Sequence, residues 1–257
     1  MRRHFAVFSV IMMLPILGWG QLRHKEDVFD KYLNKYLETD NRADLSTEDL
    51  HAHLNKLERK KASVKSDLDF LSYLFNKTHT KFLKDYREHA AFSELLINGR
   101  YNCLTATALY ALLLDHFGYT YSIIETNYHI FLQVTLRGKP ILFETTDPIY
   151  GFVTSEKEIA EKVALYRQNR VQKTGQNKPQ YQFNFNLYNS VGLDQLTGLL
   201  YYNLAVEAFN KSNLSQCIFY LNKAVHNYRS TRIEEFSKII LLALAKNNFN
   251  NSQSNAY

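Results

Sequence analysis

The chain has 257 residues, enough for one substantial core or two modest ones. With 46% hydrophobic and 22% charged residues it has the make-up of a globular protein, which excludes disorder throughout. The net charge of +6 includes Arg2 and Arg3 and forms no dense Lys/Arg stripe, so nucleic acid is not expected as a partner.

Aromatic content is the unusual feature, with 18 Tyr and 17 Phe against 1 Trp. Tyrosine packs well in helix–helix seams while its hydroxyl stays near water.

Residues 1–20, MRRHFAVFSVIMMLPILGWG, read as a signal peptide. Arg2 and Arg3 supply the charged start, Phe5 to Leu17 the apolar run, and Gly18-Trp19-Gly20 the small residues of a cleavage point. The run is short of the about 20 residues that a membrane span needs. The expectation is export to the periplasm or the cell exterior, with Gln21 first in the mature chain and no stable membrane span left. No Cys follows the cleavage point, which argues against a bacterial lipoprotein.

Residues 21–98 are expected to be helical. Val28, Phe29, Tyr32, Leu33, Tyr36 and Leu37 recur at helical spacing, and Leu50, Leu54 and Leu57 follow a cap at Ser46-Thr47. Two further helical stretches centre on Leu68/Leu71/Phe75 and on Phe82/Tyr86, before Asn98-Gly99 stops the run.

The middle of the chain changes character. Leu104 to Phe117 is an apolar helix closed by Gly118, followed by β-type runs at Tyr119–Glu125, Ile130–Leu136 and Ile141–Thr145. The turn Arg137-Gly138-Lys139-Pro140 makes a hairpin of the last two runs. Ser155 and Glu158 form a capping box for a helix to about Arg170. Residues 171–180 read as a linker, and Tyr181, Phe183, Phe185 and Leu187 alternate like a half-exposed strand.

Cys103 falls in the first turn of the apolar helix, where unpaired N–H groups and the helix dipole favour negative charge. A thiolate so placed is a better nucleophile at neutral pH, although a cysteine at a helix start is more often simple packing. What changes the odds is His129 at one strand start and an acid at the next strand end, which a hairpin sets side by side. A thiol nucleophile requires such a base and a third group to orient it. If the turn is tight and Leu136 pairs with Lys139, Glu144 shares the face of His129 and Asp147 does not. A three-residue turn would reverse that parity and favour Asp147, which before Pro148 also suits a turn.

These residues resemble the transglutaminase-like superfamily of the papain-like thiol fold, over roughly residues 99–147. The resemblance lies in Cys103 opening an apolar helix, Gly118 ending it, His129-Ile130-Phe131 starting a strand, and Glu144 followed by Thr145. Phe131 stands where the family usually carries Trp. The resemblance implies a triad of Cys103, His129 and Glu144, acyl transfer through a thioester, and a peptide or protein amide as substrate. No cofactor and no metal is expected, and the other histidines lack partners at ligand spacing. The rival expectation is an exported binding protein that keeps the transglutaminase-like shell without turnover.

Residues 201–225 resemble a tetratricopeptide repeat, with small Ala205, Cys217 and Ala224 letting two helices approach. Cys217 therefore reads as packing, and a disulfide to Cys103 is not expected. A further helix covers about Ile233 to Ala245, and residues 247–257 read as a disordered tail. So short a repeat cannot bury its own faces, and its helices should dock on the rest of the chain or on a protein partner. The expected fold class is α+β: a helical N-terminal region, a papain-like core with a small antiparallel sheet over 99–190, and a C-terminal helical hairpin over 194–246.

Overall fold

A computed structural model describes residues 28–168 and 185–254, so residues 1–20, expected as a signal peptide, and 171–180, expected as a linker, lie outside the described residues. Helix α1 covers 28–37 and buries Phe29, Leu33, Tyr36 and Leu37, the residues spaced three and four apart. After a 3-10 turn at Glu38–Asp40 come α2 (Glu48–Ser63) and α3 (Asp67–Phe82). Ser66 caps α3 by accepting the Asp69 N–H at 3.2 Å.

The expected helix around Phe82/Tyr86 is not formed. Helix α3 stops at Phe82, and Tyr86 lies in a short strand, β1 (Asp85–Tyr86), parallel to β2 (Arg100–Tyr101). Helix α4 (Phe92–Asn98) lies between them. Gly99 supplies the reason: its carbonyl receives the N–H groups of Lys84 and Asp85 at 2.9 and 3.1 Å. Backbone pairing across the β1–β2 crossover replaces a further helical turn.

Helix α5 (Cys103–His116) is the centre of the molecule, with Leu104 through Leu114 all buried. A helix apolar all round belongs inside a core. Each of its leucines contributes about 1.5–3 kcal/mol by burial, and truncating Leu113 to Ala would cost about 2–5 kcal/mol. Gly118, with φ 69°, takes the left-handed position past the helix end, and its N–H reaches Asp115 O at 2.9 Å.

Against α5 lies an antiparallel sheet ordered β6-β5-β4-β3-β7. Its strands are β3 (Thr120–Thr126), β4 (Ile130–Leu136), β5 (Lys139–Phe143), β6 (Phe152–Val153) and β7 (Tyr188–Val191). The β4–β5 turn holds two residues, Arg137 and Gly138, and Leu136 pairs with Lys139. Helix α6 (Glu156–Arg167) starts at Ser155, whose hydroxyl accepts the Glu158 N–H at 3.4 Å. Of the alternating run expected as a strand, 181–184 lie outside the described residues. The strand itself begins one residue past Leu187, because Tyr188–Val191 is what pairs with β3.

Helices α7 (Leu193–Asn210) and α8 (Leu214–Asn227) form a hairpin, followed by α9 (Thr231–Ser254). Contrary to the disordered tail expected over 247–257, α9 continues to Ser254, and 255–257 lie outside the described residues. Close approach depends on Gly198: a Cβ there would stand 2.5 Å from Tyr228 Cβ. One continuous apolar core includes Phe29, Leu57, Leu109, Leu132, Leu200 and Ile240, so the C-terminal hairpin shares its core with α5 and the sheet. The fold is α+β.

Candidate active site

Three elements meet at one end of α5. Cys103 is its first residue and is half-buried. The side chain of Asn102 caps the helix by accepting Thr105 N–H at 2.9 Å, and donates to Glu88 O and Ala90 O at 3.0 and 3.3 Å. With Thr105 N–H capped and Ala106 N–H bonded to Asn102 O at 3.0 Å, the amides of Cys103 and Leu104 have no partner within the helix.

His129 precedes β4 and Glu144 follows β5. Their side chains bond, Nε2 to Oε2, at 2.6 Å. The observed register carries this: Leu132 faces Phe143, so one step beyond the ladder puts Phe131 opposite Glu144, on the face shared with His129. Asp147 has a separate task. Its Oδ1 accepts the N–H groups of Ile149 and Tyr150 at 3.1 and 2.8 Å and so builds the turn after the strand.

Thr107, one turn into α5, holds the three parts in register. Its hydroxyl donates to Ile130 O beside His129, and lies 3.4 Å from the Thr145 hydroxyl beside Glu144. Glu144 occupies Nε2, and the Cys103 sulfur is an electrostatic neighbour of the ring.

The electrostatics follow from these contacts. Burial opposes a charge on His129, yet the Glu144 carboxylate and the Cys103 sulfur outweigh it and hold the imidazole pKa well above its ordinary value. Burial likewise opposes ionisation of Glu144. His129, the Thr146 hydroxyl at 2.6 Å and the Tyr166 hydroxyl at 2.7 Å overcome that and hold its pKa down. Both shifts favour the charged forms, an imidazolium facing a carboxylate.

Tyr166 is the site residue that sequence reasoning missed. It lies on α6, with its ring 4.9 Å from both the His129 and Phe131 rings. Its signal was slight: one tyrosine near the end of a polar helix. Tyr86 was missed too, having been assigned to a helix. It packs edge-on against Tyr101 at 5.7 Å, with about half of its surface still exposed at 52%.

Both cysteines are free thiols. Cys217 is fully buried on α8, and burial pushes its pKa up to about 11. Among the described residues no group of three or more His, Cys, Asp or Glu is arranged to hold a metal. His51 bonds Asp30, His116 bonds Glu58, and His53 is buried against Thr78. No helix of the described residues is long and apolar enough to cross a membrane.

Comparison with family models, with curated proteins and with solved structures finds no match to this chain.

Proposed function

We propose that this chain is an exported, transglutaminase-like cysteine acyl-transfer enzyme acting on a peptide or protein amide. The observation that carries the reading is the 2.6 Å bond from His129 Nε2 to Glu144, on a ring that has the Cys103 sulfur, at the first turn of α5, as an electrostatic neighbour. A nucleophile, its base and the group that orients the base are thus together.

The chemistry then runs in two balanced steps. The Cys103 thiolate, its proton already on His129, attacks the amide carbon, a C–S bond forms, and the C–N bond breaks as His129 delivers that proton to the leaving nitrogen. Water or an amine next attacks the thioester, giving its proton back to His129 and releasing the thiolate. During attack the amide oxygen becomes an oxyanion, and the unpaired N–H groups of Cys103 and Leu104 are the donors nearest to hand. Glu144 fixes the ring orientation and stabilises the imidazolium.

Export is part of the proposal, resting on residues 1–20. It is tested by N-terminal mass spectrometry of exported protein, where an intact Met1 would count against it. The catalytic part is tested by incubating the protein with a mixed peptide-amide substrate pool and quenching in acid. A Cys103-linked acyl adduct, absent from Cys103→Ala, is the expected result. If no adduct or turnover appears for wild type above Cys103→Ala, a binding protein with an inert shell becomes the better reading.

A further inference from the structure

The turn that carries His129 is held from outside the sheet. Within the turn, Thr126 N–H donates to His129 O at 2.8 Å and its hydroxyl donates to the same carbonyl at 3.0 Å. The His129 N–H donates to Thr126 Oγ1 at 3.1 Å. Thr126 therefore fixes the backbone on which the imidazole is mounted.

Thr126 is itself gripped by the C-terminal helices. Arg232, in the first turn of α9, donates from its guanidinium to the Thr126 carbonyl. Its Nε stands 2.9 Å from Glu125 Oε1, and the guanidinium lies 5.7 Å from the centre of the Tyr202 ring on α7. Tyr228, just past α8, donates to the other Glu125 oxygen at 2.9 Å. Glu125 and Thr126 are each only 1% exposed. Arg232 of α9 and the residue that closes α8 thus reach two adjacent buried residues of β3, and Tyr202 of α7 packs on Arg232.

A buried Arg–Glu pair is a poor stabiliser, because desolvation offsets most of its attraction, and an apolar pair of similar volume would often serve stability as well. What it does supply is direction. A guanidinium held by an ion pair at 2.9 Å and by a bond to a carbonyl is restrained in position. An apolar contact would let the turn slide.

We propose that Arg232 is a positioning residue for His129: by gripping Thr126 it couples the seating of the C-terminal helices to the alignment of His129 with Cys103 and Glu144. This rests on the acyl-transfer reading of those three residues only for its catalytic consequence. The coupling itself is a property of the turn. The C-terminal helices are then part of the machinery that aims the base, and a protein partner that displaced α9 would switch the site off without touching it.

The test uses the full mature chain and the double variant Arg232→Met with Glu125→Gln, which removes both buried charges together. Two quantities are read: the His129 ring titration by NMR and the second-order rate of Cys103 alkylation. The expected result is a His129 titration moved back toward its ordinary value of 6.5 and alkylation slowed roughly ten- to a hundredfold, as a misaimed catalytic group requires. Leu221→Ala, which loosens α8 without touching the turn, should lower the thermal midpoint and leave both quantities in place. If the double variant does not fold, Arg232→Lys takes its place and should move both in the same direction by less. A folded variant with His129 and Cys103 unchanged overturns the proposal, as does a Leu221→Ala variant that shifts them equally. Should wild-type Cys103 prove unreactive, the acyl-transfer reading fails while the His129 titration still reports on Arg232.

Discussion

Tyr166 and His129 share a single acceptor: Oε2 of Glu144 receives the Tyr166 hydroxyl at 2.7 Å and bonds His129 Nε2 at 2.6 Å. With Thr146 on the other oxygen, the carboxylate is fully engaged, and neither oxygen is free to rotate toward a competing donor.

Removing the phenol should therefore loosen the carboxylate and raise its pKa. A hydrogen bond to a charged group is worth about 1.5–3 kcal/mol, and 1.36 kcal/mol is about one pKa unit. For Tyr166→Phe we expect the acid limb of Cys103 alkylation against pH to move up by about one to two units, with the protein still folded. An unchanged limb would mean that Tyr166 only fills space.

The His129–Glu144 pair should also make stability depend on pH in a definite sense. His129 has a folded pKa above its ordinary 6.5, so its contribution is fully present below 6.5 and is lost as pH rises through the folded value. Glu144 has a folded pKa below its ordinary 4.5, so its contribution is present above 4.5 and is lost as pH falls through the folded value. The advantage of wild type over Glu144→Gln in denaturant melts should therefore be greatest between pH 4.5 and 6.5 and shrink on both sides. A difference that does not vary with pH would show that the pair carries no charge.

The two thiols should separate cleanly. Cys217 is buried and its thiol is held protonated, whereas Cys103 is half-exposed beside an imidazole. Native protein at neutral pH should alkylate at Cys103 alone, with Cys217 reacting only on unfolding. Cys103→Ala should shift the thermal midpoint by no more than a few degrees, since little buried area is lost. Equal labelling of both thiols in native protein would remove the basis for a nucleophilic role.

The geometry of the His129–Glu144 pair was legible because it depends on period-two alternation and a two-residue turn. The alternation follows from local sequence, while the register of Leu136 with Lys139 decides between the two-residue turn and the three-residue alternative. Tyr86 and Tyr166 were not legible for the opposite reason. Tyr86 sits in a strand of two residues whose partner lies across a crossover, and nothing in DYRE announces it. Tyr166 becomes a site residue only because α6 lies beside the ends of β4 and β5. Arg232 and Glu125 meet from far apart in the chain for the same reason, through packing that no local pattern encodes.

Deleting residues 194–257 should leave a chain that does not fold cooperatively. Leu196, Leu199, Leu200 and Leu204 of α7 are buried in the core that includes α5, and their removal would expose apolar surface there to water. Four leucines at about 1.5–3 kcal/mol each already approach the whole stability of an ordinary domain, about 5–15 kcal/mol. Loss of Tyr228 and Arg232 adds a second penalty, because Glu125 would be left buried without its partners. A buried carboxylate stripped of its cation costs more than the pair was worth. Adding Glu125→Gln to the truncation should recover part of that second penalty and none of the first. The measurement is size-exclusion and thermal unfolding of the 21–193 fragment with and without Glu125→Gln. A soluble, monomeric and cooperatively unfolding 21–193 fragment would show that the C-terminal helices are an appendage and that the core closes without them.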